Sequence, residues 1–369
     1  MEQRPVAEQH RKPSIYDLSL AELTHALAGW GEPAFRARQV WEWLYQHKVD
    51  RFEAMANVPR ALRDRLDAAY SVGTLLLVAE IKSSDGHTVK RLLELPDGQM
   101  IESVLMEYDG NRRTACISTQ AGCAMGCVFC ATGQMGFSRH LTPGEIVEQA
   151  VVFARQLEAA GERLSNVVLM GMGEPLHNYD ATLEAIARLN DEAGLNIGQR
   201  HITLSTVGLV PAIRRFADEN LQIGLAISLH AATDEERGKL LPINRRWPLA
   251  DLMDAIRYYI DTTGRRVTFE WALIAGENDT AEQADRLGQL VRGLKCHVNL
   301  IPLNPTESYA GQPPDPARIE AFQQRLHDYG VNSTVRVRRG IDIHAGCGQL
   351  KADVVKRSRA KRVQPDEVR

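Results

Sequence analysis

The sequence predicts an α/β protein built on six β/α units that form a closed or partly closed barrel, with a small N-terminal helical domain and a β-meander extension. Three observations carry this prediction. From residue 111 onward, short apolar runs alternate with helical patterns, which is typical of parallel β/α units. The first 72 residues show helical periodicity, and two Asp-Gly pairs divide residues 73–110. A chain of 369 residues is long enough for such a barrel and one smaller domain.

These boundaries divide the chain into four parts. They are a helical accessory domain (1–72), a β-meander extension (73–110), a barrel core (111–345) and a C-terminal part with a basic tail (346–369).

The net charge of −3 does not by itself indicate a nucleic-acid binder, so such a role must depend on local basic patches. The N-terminus lacks the apolar centre of a signal peptide, and the apolar run 75–79 is too short to span a bilayer. We therefore expect a cytoplasmic protein with reduced cysteines that folds without disulfides.

Three helices are predicted in the accessory domain. Ser19 and Glu22 form a capping-box pattern before an apolar helix over residues 20–28. Pro33 is suited to the start of a second helix, and a third is expected over residues 60–70. The basic residues Arg36, Arg38, Lys48 and Arg51 lie among aromatic side chains in this domain. They are candidates for contact with an RNA backbone, and a solvated face around a tryptophan-rich core is the alternative.

The meander is predicted over roughly residues 75–107. The pairs Asp85-Gly86 and Asp97-Gly98 are strong turn signals between its three strands. Glu102 lies on the third strand, where a carboxylate is by default a surface residue.

The six barrel strands are predicted over residues 114–118, 167–170, 202–205, 223–228, 267–271 and 298–301. The loops that follow parallel strands meet at one end of a barrel, and active sites are built there. A helix beginning near Pro143 follows the loop after the first strand. We expect the functional site at this end.

Three cysteines lie within eight residues of the loop after the first strand. Cys123, Cys127 and Cys130 are too close together to form useful disulfides, but their thiolates are suited to converge on one metal centre. A structural zinc or an ordinary four-iron cubane requires four ligands, and no fourth cysteine lies nearby. The triplet therefore predicts a four-iron cluster with one open iron.

Small or polar residues follow several other strands. They are Gly173 and Glu174 in the run GMGEP, Ser205, the run Ser228-Leu229-His230, and Asn304. Such groups suit a ligand with carboxylate, amino and ribose hydroxyl groups. A plain turn would resemble GMGEP, and a histidine at this position is more often a satisfied residue of the barrel end. We therefore give His230 a binding role only.

The remaining cysteines differ in context. Cys296 comes just before a strand and is expected to be an inert, partly buried thiol. Cys347 has glycines on both sides, which expose its thiol and permit tight loop geometry. If the C-terminal part folds over the barrel end, Cys347 and Cys116 both face the ligand. The tail carries six basic residues, Lys351, Lys356, Arg357, Arg359, Lys361 and Arg362. Such a tail is expected either to contact RNA or to form a solvated helix end.

With these residues in view, the chain resembles the radical S-adenosylmethionine (SAM) superfamily and, within it, the RlmN family of RNA adenine C2 methyltransferases. The resemblance covers roughly residues 19–355. The cysteine triplet alone indicates the superfamily, and the pairing of Cys116 with Cys347 indicates the methylating subfamily. The other shared motifs are GMGEP, LST at 204–206, ISLHA at 227–231, PIN at 242–244, IPLNP at 301–305 and AGCGQL at 345–350.

The resemblance implies a fold and a chemistry. The fold is a TIM-like partial (βα)6 radical SAM barrel. In this family one SAM first methylates the exposed cysteine, here Cys347, and a second SAM yields a 5′-deoxyadenosyl radical that removes hydrogen from the S-methyl group. The resulting methylene radical adds to C2 of adenosine. A base removes the C2 proton, and a transient disulfide between Cys116 and Cys347 releases the product.

The resemblance also implies roles and partners. The cluster ligands are Cys123, Cys127 and Cys130, the residues that hold SAM are Gly173, Glu174, Ser205, Ser228, Leu229, His230 and Asn304, and the catalytic residues are Glu102, Cys116 and Cys347. Glu107 is the competitor to Glu102 as the base. Implied partners are 23S rRNA, tRNA and an electron donor such as flavodoxin or ferredoxin, and we expect a monomer. The alternatives are the related C8-methylating enzyme and, from another class, a zinc-binding RNA adaptor without catalytic activity.

Overall fold

A computed structural model describes residues 12–351. Its α-helices are α1 (Leu20–Ala28), α2 (Phe35–Tyr45), α3 (Arg60–Ala69), α4 (Ala131–Met135), α5 (Pro143–Ala159), α6 (Tyr179–Asn190), α7 (Val210–Asp218), α8 (Asp234–Leu240), α9 (Leu249–Thr263), α10 (Ala281–Val291) and α11 (Pro316–Asp328). Its strands are β1 (Leu76–Lys82), β2 (Thr88–Glu94), β3 (Met100–Tyr108), β4 (Arg112–Cys116), β5 (Gln120–Gly122), β6 (Phe137–His140), β7 (Asn166–Leu169), β8 (Ile202–Thr206), β9 (Gly224–Ser228), β10 (Val267–Leu273), β11 (Cys296–Pro302) and β12 (Ser333–Val335).

One ten-stranded sheet organises the molecule, in the order β1-β2-β3-β4-β7-β8-β9-β10-β11-β12. Strands β1 to β4 pair antiparallel, and every pairing from β4 to β12 is parallel. The predicted α/β fold, with its meander and its six parallel strands, is confirmed. Strand β12 adds a seventh parallel strand that was not predicted, because its three residues, Ser-Thr-Val, form no apolar run.

The N-terminal helices form as predicted and pack against the barrel. Ser19 and Glu22 make the reciprocal hydrogen bonds of a capping box at the start of α1. The indole of Trp41 donates to Asp191 Oδ2 at 3.2 Å, and Lys48 Nζ lies 3.0 Å from Glu158 Oε2. Lys48, a candidate for RNA contact, therefore pairs with a barrel helix.

The connection from these helices to the sheet is fixed by Glu148 on α5. Its carboxylate accepts hydrogen bonds from the backbone N–H groups of Thr74 and Leu75, each at 2.9 Å. A Cβ at Gly73 would approach Glu148 Oε1 to 2.6 Å, so only glycine fits beside that carboxylate.

The triplet loop lies inside a small hairpin that was not predicted. Strands β5 and β6 pair antiparallel on either side of it, and the backbone N–H of Cys123 donates to Gly136 O at 2.8 Å. Gly122 adopts φ +77°, and a Cβ there would lie 2.0 Å from Gly136 O. The close approach of the two strands therefore requires this glycine.

The segment 340–351 returns from beyond β12 to the meander. Ser84 N donates to Asp342 Oδ2 at 2.8 Å, and Lys90 Nζ donates to His344 O at 3.2 Å. The N–H of Lys351 donates to Glu102 Oε2 at 2.9 Å. The segment thus connects the β12 side of the sheet to β2 and β3 across the barrel end. The rest of the basic tail, Lys356 to Arg362, lies outside the described residues.

Among residues 12–351, no helix is both long and apolar enough to cross a membrane.

Candidate active site

A cleft at the C-terminal ends of the parallel strands brings most of the predicted site together. It contains about 970 Å³ of empty space, its opening to solvent included. Its lining includes the three triplet cysteines together with Gly173, Glu174, Ser205, Ser228, His230, Asn304 and Cys347. Leu229 is the exception, because its side chain is fully buried and does not line the cleft. The backbone N–H of Leu229 donates to Glu270 O instead.

The triplet thiols lie close enough to affect one another. Burial raises the pKa of Cys123 to about 12, and it also raises the pKa values of Cys127 and Cys130. The other triplet thiols add to the shifts of Cys123 and Cys127, and Cys347 adds to that of Cys130, because charges of like sign disfavour ionisation. A bound cation would reverse this trend, since it stabilises thiolates.

Glu174 is oriented by backbone groups. Its Oε1 accepts from Leu176 N at 3.0 Å and its Oε2 from Val207 N at 2.8 Å, while burial raises the pKa of its carboxyl to about 7. Gly173 beside it has φ +104°, and a Cβ there would meet the side chain of Gln120 at 2.6 Å. The loop therefore brings backbone and a carboxylate to the cleft wall, as predicted.

His230 is held as a neutral ring. Its Nδ1 accepts from Ala272 N at 2.9 Å, and its ring packs edge-on against Phe129 at 5.0 Å. Burial lowers the pKa of His230 to about 3. Because the Nδ1 lone pair is occupied and the ring does not ionise near neutrality, His230 is suited to binding and not to acid–base chemistry.

Cys347 and Cys116 open on one cavity that adjoins the cleft. Both line it, and Cys347, Asn304 and Arg336 line both spaces. Cys347 is exposed, as its flanking glycines predicted, whereas Cys116 is buried on β4. Burial raises the pKa of Cys116 to about 12, and the nearby Cys347 adds to the shift. Every cysteine in residues 12–351 is a free thiol, so the structure does not support a disulfide bond in the resting fold.

The loop 346–350, called here the C-terminal loop, is held by hydrogen bonds from several elements. Asn304 Nδ2 donates to Cys347 O at 3.1 Å, and Ala131 N donates to Gly348 O at 2.8 Å. Thr132 Oγ1 donates to Leu350 O at 2.6 Å. These bonds set the methyl-carrier candidate directly beside α4, the helix that follows the triplet.

Glu102 is buried, contrary to the surface position that is the default for a carboxylate on a meander strand. Its Oε1 lies 3.0 Å from Lys90 Nζ, and its Oε2 accepts from Lys351 N. It borders the segment that carries Cys347, although it does not line either cavity. Glu107 is more exposed and lies 4.0 Å from Arg113 Nη2.

Cys296 is the first residue of β11 and is half-buried. Burial raises the pKa of Cys296 to about 11, which suits the inert thiol that was predicted.

Comparison with known proteins identifies the family. Residues 117–287 match the Radical SAM superfamily, and residues 14–72 match the ribosomal RNA large subunit methyltransferase N-terminal domain. A dual-specificity RNA methyltransferase RlmN 1 from Myxococcus xanthus is 58% identical over 94% of this chain and 96% of its own length. A probable dual-specificity RNA methyltransferase RlmN from Geobacillus kaustophilus is 51% identical over 92% and 93%.

A solved structure agrees. The crystal structure of a radical SAM methyltransferase from Sphaerobacter thermophilus superposes with a TM-score of 0.90 at 50% identity, covering 92% of this chain and 100% of that one. The chain belongs to the RlmN family.

The cofactors of this RlmN family member are those of the radical SAM superfamily, a [4Fe–4S] cluster and SAM. The triplet fits the cluster, because three thiols line one cleft. No three His, Cys, Asp or Glu side chains within residues 12–351 are arranged to hold a single metal ion. A cluster does not require that arrangement, since each cysteine binds a different iron.

The cleft wall also fits SAM. Asn304 Oδ1 and Glu270 Oε2 are buried acceptors without a hydrogen-bond partner in the described part of the chain. Glu270 Oε2 still has the Arg336 guanidinium at 3.8 Å, whereas Asn304 Oδ1 has no hydrogen-bond partner among residues 12–351. Buried polar atoms are normally hydrogen-bonded, so acceptors without a hydrogen bond in a cleft wall indicate a ligand with N–H or O–H donors. The amino and ribose groups of SAM are such donors.

Sequence reasoning missed three charged residues of this RlmN site. Glu270 and Arg336 lie in the cleft wall, with Glu270 Oε2 3.8 Å from Arg336 Nη1. The buried Arg237 donates to the backbone carbonyls of Leu229 and Val207 and so connects the ends of β8 and β9. No local sequence motif marks these three residues. The only indication in the sequence was Glu270, because it is a charged residue within β10, a mostly apolar and buried strand.

Proposed function

We propose that this enzyme methylates C2 of adenosine in 23S rRNA, at the peptidyl-transferase centre, and in tRNA, at the adenosine 3′ of the anticodon. The proposal rests on its RlmN family membership and on one observation: Cys116 and Cys347 line a single cavity that adjoins the cleft of the triplet. Adenine C2 is an electron-poor amidine carbon, so a polar methyl transfer is not available to it. A carrier thiol beside a radical-generating cleft supplies the alternative route.

Cys123, Cys127 and Cys130 would hold the cluster, and Gly173, Glu174, Ser205, Ser228, His230 and Asn304 would hold SAM, with Leu229 positioning its neighbours Ser228 and His230 through its backbone bond to Glu270 O. When bound, these groups supply a methyl group and an organic radical that abstracts hydrogen. The exposed sulfur of Cys347 accepts the methyl group and carries its carbon to C2. The single electron that the radical addition leaves on the base would return to the bound cluster. Cys116, as the thiolate, then attacks the Cys347 sulfur, which forms the disulfide and breaks the bond between that sulfur and the carbon. The carbon keeps the electron pair of the broken bond and takes up a proton to become the methyl group.

Glu102 is proposed as the base that takes the C2 proton. Its position beside the Cys347-bearing segment supports this role more than the position of Glu107 does. Because Lys351 N–H and Lys90 Nζ occupy the carboxylate in this structure, the role requires Lys351 N–H to leave it when RNA binds.

Further proposals concern partners and location. An electron donor such as flavodoxin or ferredoxin would reduce the cluster and the disulfide formed by Cys116 and Cys347. The helical domain, through Arg38 and Arg51, would add RNA contacts, since both side chains are exposed. We propose that the enzyme acts as a monomer in the cytoplasm, where its RNA substrates are found.

The decisive experiment maps the methyl group. The enzyme is expressed in a host that lacks adenosine C2 methylation, and rRNA and tRNA are separated and analysed by mass spectrometry. We expect 2-methyladenosine in both RNAs. A product methylated at C8 would overturn the proposal, and a colourless protein with stoichiometric zinc after anaerobic purification would indicate an RNA adaptor instead.

A further inference from the structure

The rim of the cavity that contains Cys116 and Cys347 is rich in arginine. Arg336, Val337, Arg338 and Arg339 line this cavity on one side, and Tyr108 lines it on the other. Val337 is 73% exposed, which makes it the most exposed large apolar side chain of residues 12–351. The segment that carries these arginines runs directly into the one that bears Cys347.

Tyr108 organises two of the guanidinium groups. Arg112 Cζ lies 3.9 Å from the centre of the Tyr108 ring, and Arg339 Cζ lies 4.7 Å from it. Arg112 is the cross-strand partner of Tyr108 at the β3–β4 turn, whereas Arg339 comes from the other end of the chain. The ring therefore holds two cations at the rim, where stacking restricts their rotation.

Within the described residues these cations form no direct ion pair, although Asp85 is near enough to Arg339 to interact with it electrostatically. Arg112, Arg338 and Arg339 form no ion pair within residues 12–351, and Arg339 Nε is buried without a hydrogen-bond partner. Elsewhere on the surface, arginines such as Arg113 and Arg139 pair with carboxylates. Guanidinium groups gathered at one rim without ion-pair partners form a positive patch, and such a patch attracts anions.

We propose that Arg112, Arg338 and Arg339, called here the arginine rim, bind the phosphates of the RNA strand on either side of the target adenosine. The inference rests on the proposed function. A base that is modified must leave its stack, and the backbone beside it must then come close to the cavity. Arginine suits that contact because its planar fork binds phosphate oxygens in pairs. The exposed Val337 lies between the arginines, where it contacts the sugar or base of the neighbouring nucleotide.

The test measures RNA binding without SAM. Fluorescence anisotropy with an anticodon stem-loop RNA, at several salt concentrations, is compared for the wild type, Arg112→Gln/Arg339→Gln and Arg338→Gln. Each lost phosphate contact reduces the slope of log affinity against log salt by about 0.7 to 0.9. We expect the double variant to lose roughly 1.5 of slope and at least tenfold in affinity at moderate salt. The control Arg257→Gln/Arg292→Gln removes two exposed arginines on α9 and after α10, and it should bind as the wild type does.

Two variants of Tyr108 separate organisation from net charge. Tyr108→Leu keeps every arginine but removes the stacking ring, so affinity should fall several-fold with most of the salt slope retained. Tyr108→Phe keeps the ring and should bind normally. Equal binding by Tyr108→Leu and the wild type would contradict the organising role.

The arginine rim proposal would be overturned if the double variant bound RNA with the wild-type affinity and salt slope. If that variant also lost a salt-sensitive contact with an acidic electron-donor protein, the arginines would be assigned to that protein instead. Methyl loading of Cys347 without RNA, followed by mass spectrometry, should be unchanged in all variants. If the wild type bound RNA through the arginine rim but did not methylate it, the proposed function would be wrong and the proposal that the rim binds RNA would still hold.

Discussion

Strand β4 and the C-terminal loop each present one cysteine to the same cavity, and their backbones differ. Cys116 pairs with Val104 on one side and Val168 on the other, so it lies in a continuous ladder. Cys347 lies in a loop that contains Gly348 at φ +81° and is held mainly by side-chain contacts. The strand keeps one thiol buried and fixed, whereas the loop keeps the other exposed. A fixed thiol suits a late attack, and an exposed one suits a carrier.

The largest effect is expected at the loop cysteine. Cys347→Ala should abolish methylation of RNA, because no other described thiol is exposed at this cavity. Iron content and the ultraviolet–visible spectrum should match those of the wild type, since the triplet is intact. Residual methylated adenosine in mass spectra of substrate RNA would show that Cys347 is not the carrier.

The strand cysteine should fail at a later step. Cys116→Ala removes the thiol that we propose attacks the Cys347 sulfur, so the enzyme should remain joined covalently to RNA. A protein band shifted by the mass of the RNA, lost on nuclease digestion, detects the adduct. Normal turnover by this variant would mean that the two thiols do not act in sequence.

A smaller effect is expected when the loop is loosened. Gln349 Nε2 donates to Pro305 O at 2.8 Å, and its Oε1 accepts from Gly346 N at 3.0 Å. Gln349→Ala leaves two partly buried backbone groups unsatisfied, at about 1–3 kcal/mol each. We expect methyl loading of Cys347 to slow by roughly tenfold as the loop leaves its position.

Gln323→Ala is the matched control for that change. Gln323 also donates to a backbone carbonyl, that of Ser333, but it lies on α11. Loading at the wild-type rate is expected for Gln323→Ala, and equal slowing of both variants would mean that the effect is one of general stability.

The smallest effect concerns pH. Burial raises the pKa of Cys116 from 9.0 to about 12, so the folded protein holds this proton more tightly than the unfolded chain does. The contribution of Cys116 to stability is therefore fully present below pH 9 and decreases as pH rises from 9 toward 12. Iodoacetamide should label Cys347 far faster than Cys116 at pH 7 to 9, because only the thiolate reacts. Peptide mapping that found both labelled equally in native protein would contradict the difference between strand and loop.

The sequence pattern predicted those parts of the site that depend on residues close together in the chain. The triplet lies within eight residues, and the glycines beside Cys347 reveal its exposure, because such features depend only on near neighbours. The six apolar strands were equally clear, since burial on both faces produces continuous apolar runs.

Contacts between distant residues were not predictable. The approach of Glu270 to Arg336, or of Glu102 to Lys351, joins residues far apart in the chain, and a charged residue in a sequence gives no sign of its depth. The β5–β6 hairpin was missed for a related reason. Its pairing depends on the tight backbone approach at Gly122, and its strands lack an apolar alternation.

The segment 340–351 has a consequence for synthesis of the chain. It joins the two sides of the sheet through Ser84, Lys90 and Glu102, and it carries Cys347. Domains fold as the ribosome delivers them, N-terminal parts first. The residues that we propose hold the cluster and SAM are therefore all made before Cys347. A nascent chain is thus unable to start the methyl transfer to Cys347 until nearly all of its barrel has left the ribosome.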